Sequence, residues 1–334
     1  MNSVQAVQRS DGVGVFFVGA VVFAFGAAAL ASCAPIAFSM ATVYLFAGPH
    51  NWIEFRYFLS RLPARFGGLK RFFAWAFTGV ATLTLTNIAL VCAVHTKVLS
   101  EEAGSILFGC WNTALILWTL RLTFLAAARK DGRDWGLALP VGLALIAFNW
   151  FNPSLFGLAL VYAHPFVGMW ILDREIVRSR PAWRGAYHAC LFAIPVFLLL
   201  IWCQLGHSPS IADSSDGLVW RITHQAGAGL LPISSRLLVA THTFLETVHY
   251  GVWLIVIPIV SAGWRSFQPR SIPISWRSLG WQKLVPAALL LSTFAVAVLW
   301  FAFAVNFGVA RDIYFTLAIA HVLAEIPFLL KGLM

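Results

Sequence analysis

The chain predicts an all-α, polytopic membrane helix bundle of about ten spanning segments, and three observations point to it. Apolar side chains make up 60% of the 334 residues and charged ones only 11%, whereas charged residues approach about a quarter of a soluble domain. The mean hydropathy is +0.81. The apolar residues gather into runs long enough to cross about 30 Å of hydrocarbon as helix, and the alternating segments of a transmembrane barrel are absent. A single integral membrane domain over 1–334 is expected, with a short cytoplasmic segment at 1–11 and no large soluble domain.

The runs lie at about 12–33, 35–58, 72–97, 104–128, 135–151, 154–172, 185–205, 235–261, 284–308 and 313–331. The first holds no charge; it ends on Leu30-Ala31-Ser32-Cys33, which has lipoprotein-cleavage character, but it is long for a signal peptide and reads as a spanning helix. Arg61, Arg65, Lys70 and Arg71 follow the second run, and Arg129, Lys130 and Arg133 follow the fourth. The same holds for Arg174, Arg178, Arg180 and Arg184 after the sixth, and for Arg265, Arg270, Arg277 and Lys283 after the eighth. The opposite connections carry little beyond Lys97, Arg221, Arg236 and Arg311. The positive-inside rule then puts both termini in the cytoplasm, in a bacterial inner membrane, and accounts for the net charge of +10 without a nucleic-acid partner. Tryptophans near run ends, such as Trp135, Trp150, Trp183, Trp202, Trp264 and Trp276, suit the headgroup zone. The one long outer loop, 206–234, could lie on the membrane as a lid or carry a single interfacial turn. Cys33, Cys92, Cys110, Cys190 and Cys203 show no pairing pattern and read as free core thiols.

Chemistry is concentrated in the acids. Of 13 Asp and Glu, only Glu54, Glu246 and Glu325 fall inside the runs, and each follows a histidine by four residues: His50, His242 and His321. None of the other acids has a histidine at that offset. Four residues is one helical turn, so each pair shares a helix face. His249 extends the stripe of His242 and Glu246 into a Glu-x-x-His spacing, the one that di-iron carboxylate bundles use. His164 is the remaining deeply placed histidine. An ionised side chain at the bilayer centre costs about 2.5–3.5 kcal/mol by insertion scales, and a metal ion offsets that cost while keeping imidazoles neutral. The candidate metal ligands are therefore His50, Glu54, His164, His242, Glu246, His249, His321 and Glu325. Mixed nitrogen and oxygen donors suit iron, as one or two ions, and also admit zinc or manganese. Local packing, a proton relay and haem ligation by His242 and His249 are the competing readings. Arg56 is expected to snorkel to the inner surface.

The element Gly48-Pro49-His50-Asn51-Trp52-Ile53-Glu54 resembles the Gly-x-Pro-His-x-x-x-Asp element of the bacterial membrane β-carotene dioxygenases, the Brp/Blh family. Ala320-His321 and the His242/His249 helix are similar to that family's late histidine and paired-histidine helix. The resemblance implies one non-haem iron on His50, His242, His249 and His321 that cleaves a carotenoid with O₂. The family's His-Phe-Gly element has no counterpart here, and Glu246 and Glu325 are additional carboxylates. The expectation is a membrane-embedded non-haem metal oxygenase acting on an apolar isoprenoid, carotenoid or lipid drawn from the bilayer. A divalent-metal or proton-coupled transporter, or a structural subunit of a membrane complex, are the alternatives.

Overall fold

A computed structural model describes residues 12–128, 136–261 and 268–333. The described residues are 86% helix, with no strand among them. In order the helices are α1 (Val13–Cys33), α2 (Pro35–Arg61), α3 (Lys70–His95), α4 (Glu101–Ala127), α5 (Ala138–Phe151) and α6 (Pro153–Ser179). There follow α7 (Arg184–Leu205), α8 (Gly217–Gln225), α9 (Ser235–Val260), α10 (Leu279–Val305) and α11 (Phe307–Leu333). Eight of them are long and apolar enough to cross a membrane, as in an integral membrane protein. The other two that coincide with predicted runs are α2, which carries His50, Asn51, Glu54 and Arg56, and α5. The 14 residues of α5 rise only about 21 Å.

Helix ends depart from the apolar runs where charges continue a helix. α6 runs to Ser179 rather than stopping near 172, because Glu175 accepts from Ser179 Oγ at 3.1 Å and pairs with Arg178 at 3.7 Å. Such same-face pairs stabilise a helical turn that hydropathy alone reads as loop. Asp173 and Glu175 thereby become buried helical residues. α11 starts at Phe307, where Asn306 Oδ1 caps the Val309 amide at 3.1 Å. Arg311, expected in an outer connection, is consequently inside the helix and buried, with its guanidinium 4.8 Å from the Phe315 ring centroid. Arg56 is buried as well, not snorkelled to a surface. The five cysteines are free, but none is core: Cys190 is half-buried and the rest are exposed. The basic residues at 129, 130, 133 and 265, and Trp135 and Trp264, lie outside the described residues.

The chain forms two compact units, Met1–His50 with Pro165–Ser266, and Asn51–His164 with Phe267–Met334. It passes from one to the other inside α2 and inside α6. In the first unit, α9 packs on α1, α7 and α8, and α1 packs on α7. Gly251 allows the α1–α9 approach, since a Cβ there would meet Phe23 Cε1 at 2.5 Å. The next residues, Val252–Val256, form a π-turn. The outer loop folds in the same unit: Asp216 Oδ1 caps α8 through the amides of Leu218 and Val219, and Ile222 and Ala226 bury against Leu238 and Val239. Gly227 and Gly229 take positive φ, 103° and 83°, to turn the chain back into α9.

In the second unit, α4 packs on α3, α5 and α11, while α11 also packs on α3 and α10. Its core is aromatic and aliphatic, including Phe72, Phe73, Trp118, Leu122 and Leu323. Gly79 gives the Trp118 indole room to lie against α3 and donate from Nε1 to Trp75 O at 2.9 Å. A buried amide pair ties α4 to α5: Asn112 Nδ2 donates to Asn149 Oδ1 at 2.7 Å, and Asn149 Nδ2 donates to Gly109 O at 2.8 Å.

Candidate metal centre

The second unit gathers four of the expected ligands from three helices: Glu54 of α2, His164 of α6, and His321 with Glu325 of α11. Glu54 and Glu325 are both 0% exposed. His164 Nδ1 stands 2.9 Å from Glu325 Oε2, and His164 Nε2 stands 3.2 Å from His321 Nε2. The two rings meet edge to face with centroids 5.0 Å apart. Glu54 and His321 offer ligand atoms within 4.8 Å of each other. Among the described residues, no oxygen of either carboxylate accepts a hydrogen bond; the 2.9 Å approach of His164 to Glu325 lacks hydrogen-bond angles.

Two carboxylates in this state are costly, because a buried ion is stable only when paired and solvated by polar groups. The donor set fits a metal ion. Nitrogens about 2.0–2.1 Å from one ion, at angles of about 90–110°, are about 2.9–3.4 Å apart. The observed separation of 3.2 Å falls in that range. Two imidazoles and two carboxylates are borderline-to-hard donors of the kind iron, manganese and zinc accept. Two prolines stand beside these residues: Pro165 follows His164 directly and Pro327 follows Glu325 by two residues. Each removes an amide from the helix ladder and loosens it locally.

The first unit holds a second group. His50 and His249 offer ligand atoms within 4.8 Å of each other, with ring centroids 5.6 Å apart. His50 Nδ1 lies 3.1 Å from Phe46 O. In the tautomer where Nδ1 donates to that carbonyl, Nε2 carries the lone pair a metal needs. The Tyr250 ring covers His50 at 4.4 Å between centroids, and its hydroxyl donates to Glu246 Oε1 at 2.6 Å. Gly168 of α6 makes room for His249, since a Cβ there would lie 2.9 Å from His249 Nδ1. His242 is buried and Glu246 half-buried on the same helix. Among the described residues, neither belongs to a group of three or more ligating side chains within 4.8 Å of one another.

Same-face spacing thus locates the carboxylates, but their contacts come from elsewhere. Glu325 meets His164 of another helix, and Glu246 meets Tyr250. Tyr250 and Gly168 were not anticipated. The spacing that singled out His242 and Glu246 also reaches Tyr250, one turn beyond Glu246, and Gly168 stands one turn beyond His164. His188 of α7, 45% exposed, lies 2.9 Å from Asp173.

In comparison with known proteins, no family model matches the chain, and neither a curated protein nor a solved structure matches it. The reading of the site therefore rests on its residues and their geometry.

Proposed function

We propose that the chain is a membrane-embedded non-haem metalloenzyme that oxidises an apolar isoprenoid, carotenoid or lipid with O₂. Its ion, iron before manganese or zinc, is held by Glu54, His164, His321 and Glu325. One observation carries this reading: two wholly buried carboxylates accept no hydrogen bond among the described residues and stand beside two imidazoles. Iron held by these residues would supply the oxygen chemistry. The protein's part is to hold both carboxylates ionised, to keep the imidazoles neutral, and to fix the His164 ring against Glu325 so that its Nε2 is aimed alongside that of His321. His50 and His249 would hold a second ion in the two-iron form of the same reading, with Tyr250 covering His50.

An apolar cavity elsewhere in the chain supports an apolar substrate. The first unit contains a cavity of about 570 Å³ lined almost entirely by apolar side chains of α1, α6, α7 and α9, among them Phe23, Val248 and Ile255. Ten spanning helices with both termini in the cytoplasm of a bacterial inner membrane are part of the proposal, supported by the basic residues at alternate connections. The resemblance to the Brp/Blh dioxygenases supports the oxygenase class through His50, His249 and His321.

The test is oxygen uptake by purified, Fe²⁺-loaded protein in liposomes, presented in turn with carotenoids, isoprenoids and acyl lipids. Iron-dependent uptake with one substrate class, lost in Glu325→Gln, is expected. No uptake with any class, together with Mn²⁺ or Zn²⁺ passing into the liposome lumen, would replace the enzyme by a transporter.

A further inference from the structure

Within the first unit, the C-terminal end of α6 and the N-terminal part of α7 enclose a second cavity, of about 490 Å³. Its two ends differ. Phe166, Trp170, Pro195 and Leu198 line one part, and Asp173, Arg174, Arg184 and His188 line the other. The charged groups are arranged around one carboxylate. Asp173 Oδ1 accepts from Arg184 Nε at 3.3 Å and lies 2.9 Å from His188 Nε2, while Oδ2 is 3.5 Å from Arg174 Nη2. The Asp173 side chain is 12% exposed, against 44% for Arg174 and 48% for Arg184. Asp173 therefore acts as a sunken anchor that fixes two guanidinium groups at the mouth of the cavity, and two positive charges against one negative leave that end cationic. Tyr187 ties the two helices together, donating to Met169 O at 2.6 Å.

We infer that this cavity is a binding site for one anionic phospholipid, with its phosphate on Arg174 and Arg184 and an acyl chain along the apolar part. Length and charge both fit. From His188 to Leu198 the helix rises about 15 Å, which is about half the hydrocarbon thickness and so the depth of one leaflet. Basic pockets between spanning helices are the usual receptors for anionic headgroups. A planar guanidinium presents paired donors to phosphate oxygens, whereas the cationic end repels the choline group of a zwitterionic lipid. Phe166 and Trp170 are 48% and 44% exposed, so the apolar part opens sideways to the lipid rather than to a buried chamber. The site uses none of the candidate metal ligands.

Native mass spectrometry of the full chain in mild detergent tests this, with dioleoylphosphatidylglycerol and dioleoylphosphatidylcholine added in equal amounts. Wild-type protein is expected to retain one phosphatidylglycerol in preference by about tenfold or more, and Arg174→Gln to lower that preference about fivefold. Arg174 is the chosen arginine because its loss leaves Asp173 paired with Arg184 and His188. Leu198→Trp, which fills the apolar part, is expected to lower retention with both arginines intact, and millimolar inorganic phosphate is expected to leave the lipid bound. Equal retention of the two lipids by wild type, wild-type retention in both variants, or displacement by inorganic phosphate would each overturn the proposal.

Discussion

Two buried polar clusters of the second unit make opposite use of the same expensive environment. Between α4 and α5, Asn112 and Asn149 donate to each other's surroundings until the cluster is closed: amide to amide, amide to the Gly109 and Pro153 carbonyls, and Asn149 Nδ2 to Thr113 Oγ1 at 3.2 Å. Neutral amides carry both donors and acceptors, so they can satisfy one another. At the other cluster, Glu54 and Glu325 are as deeply buried, yet their oxygens accept no hydrogen bond among the described residues. Ionised carboxylates are acceptors only and cannot close such a set without a donor or a cation. The asparagines therefore read as structural glue, whereas the carboxylates are left with the unmet need that the proposed metal ion would fill.

The largest expected effect breaks the second cluster. The double change Glu54→Gln and Glu325→Gln should reduce metal affinity by more than the ~10–100-fold typical of an outer-shell change, as read by chelator competition. It should also make the metal-free protein more stable than metal-free wild type, because two buried carboxyl groups whose oxygens accept no hydrogen bond among the described residues are gone. A fall in metal-free stability would place the carboxylates with the asparagines. Stripping metal from wild type with a chelator comes next: at a free metal concentration of about 100 times Kd, bound metal contributes about 2.7 kcal/mol. Thermal unfolding with and without chelator should show that loss, and the double variant should not.

Asn149→Leu should leave metal content unchanged and destabilise the protein by about 1–2 kcal/mol in thermal unfolding, since it strands the buried Asn112 amide. Gly168→Ala crowds His249 and the Trp253 indole, whose Nε1 would be 3.1 Å from the new Cβ, and should cost about 1–2 kcal/mol. Tyr250→Phe is the smallest: removing the donor to Glu246 should cost about 0.5–1.5 kcal/mol. That value would put Glu246 with the closed cluster rather than the open one.

The sequence made the helices legible because hydrocarbon selects long apolar runs, and the structure has a helix at each of them. Ends were harder to read where a helix outlasts its apolar run, as with Asp173 and Glu175 of α6 and Arg311 of α11, whose burial depends on neighbours no local pattern encodes. The site divides in the same way. A carboxylate one turn from a histidine is a local pattern and identified Glu54, Glu246 and Glu325. The contact of Glu325 with His164, far away in the chain, is tertiary, and only the depth of His164 in its run hinted at it. Tyr250 and Gly168 carry no charge to mark them in the sequence: one is a phenol that donates, the other a glycine that makes room.

X-ray absorption spectroscopy at the metal edge, on protein purified in mild detergent with its metal content measured, tests the central claim most directly. The account predicts a stoichiometric first-row metal with nitrogen and oxygen donors only, including about two imidazoles at about 2.0–2.1 Å, and loss of that signal in the Glu54→Gln, Glu325→Gln double variant. A metal-free wild-type protein, or an ion with sulfur or haem ligation, would contradict it.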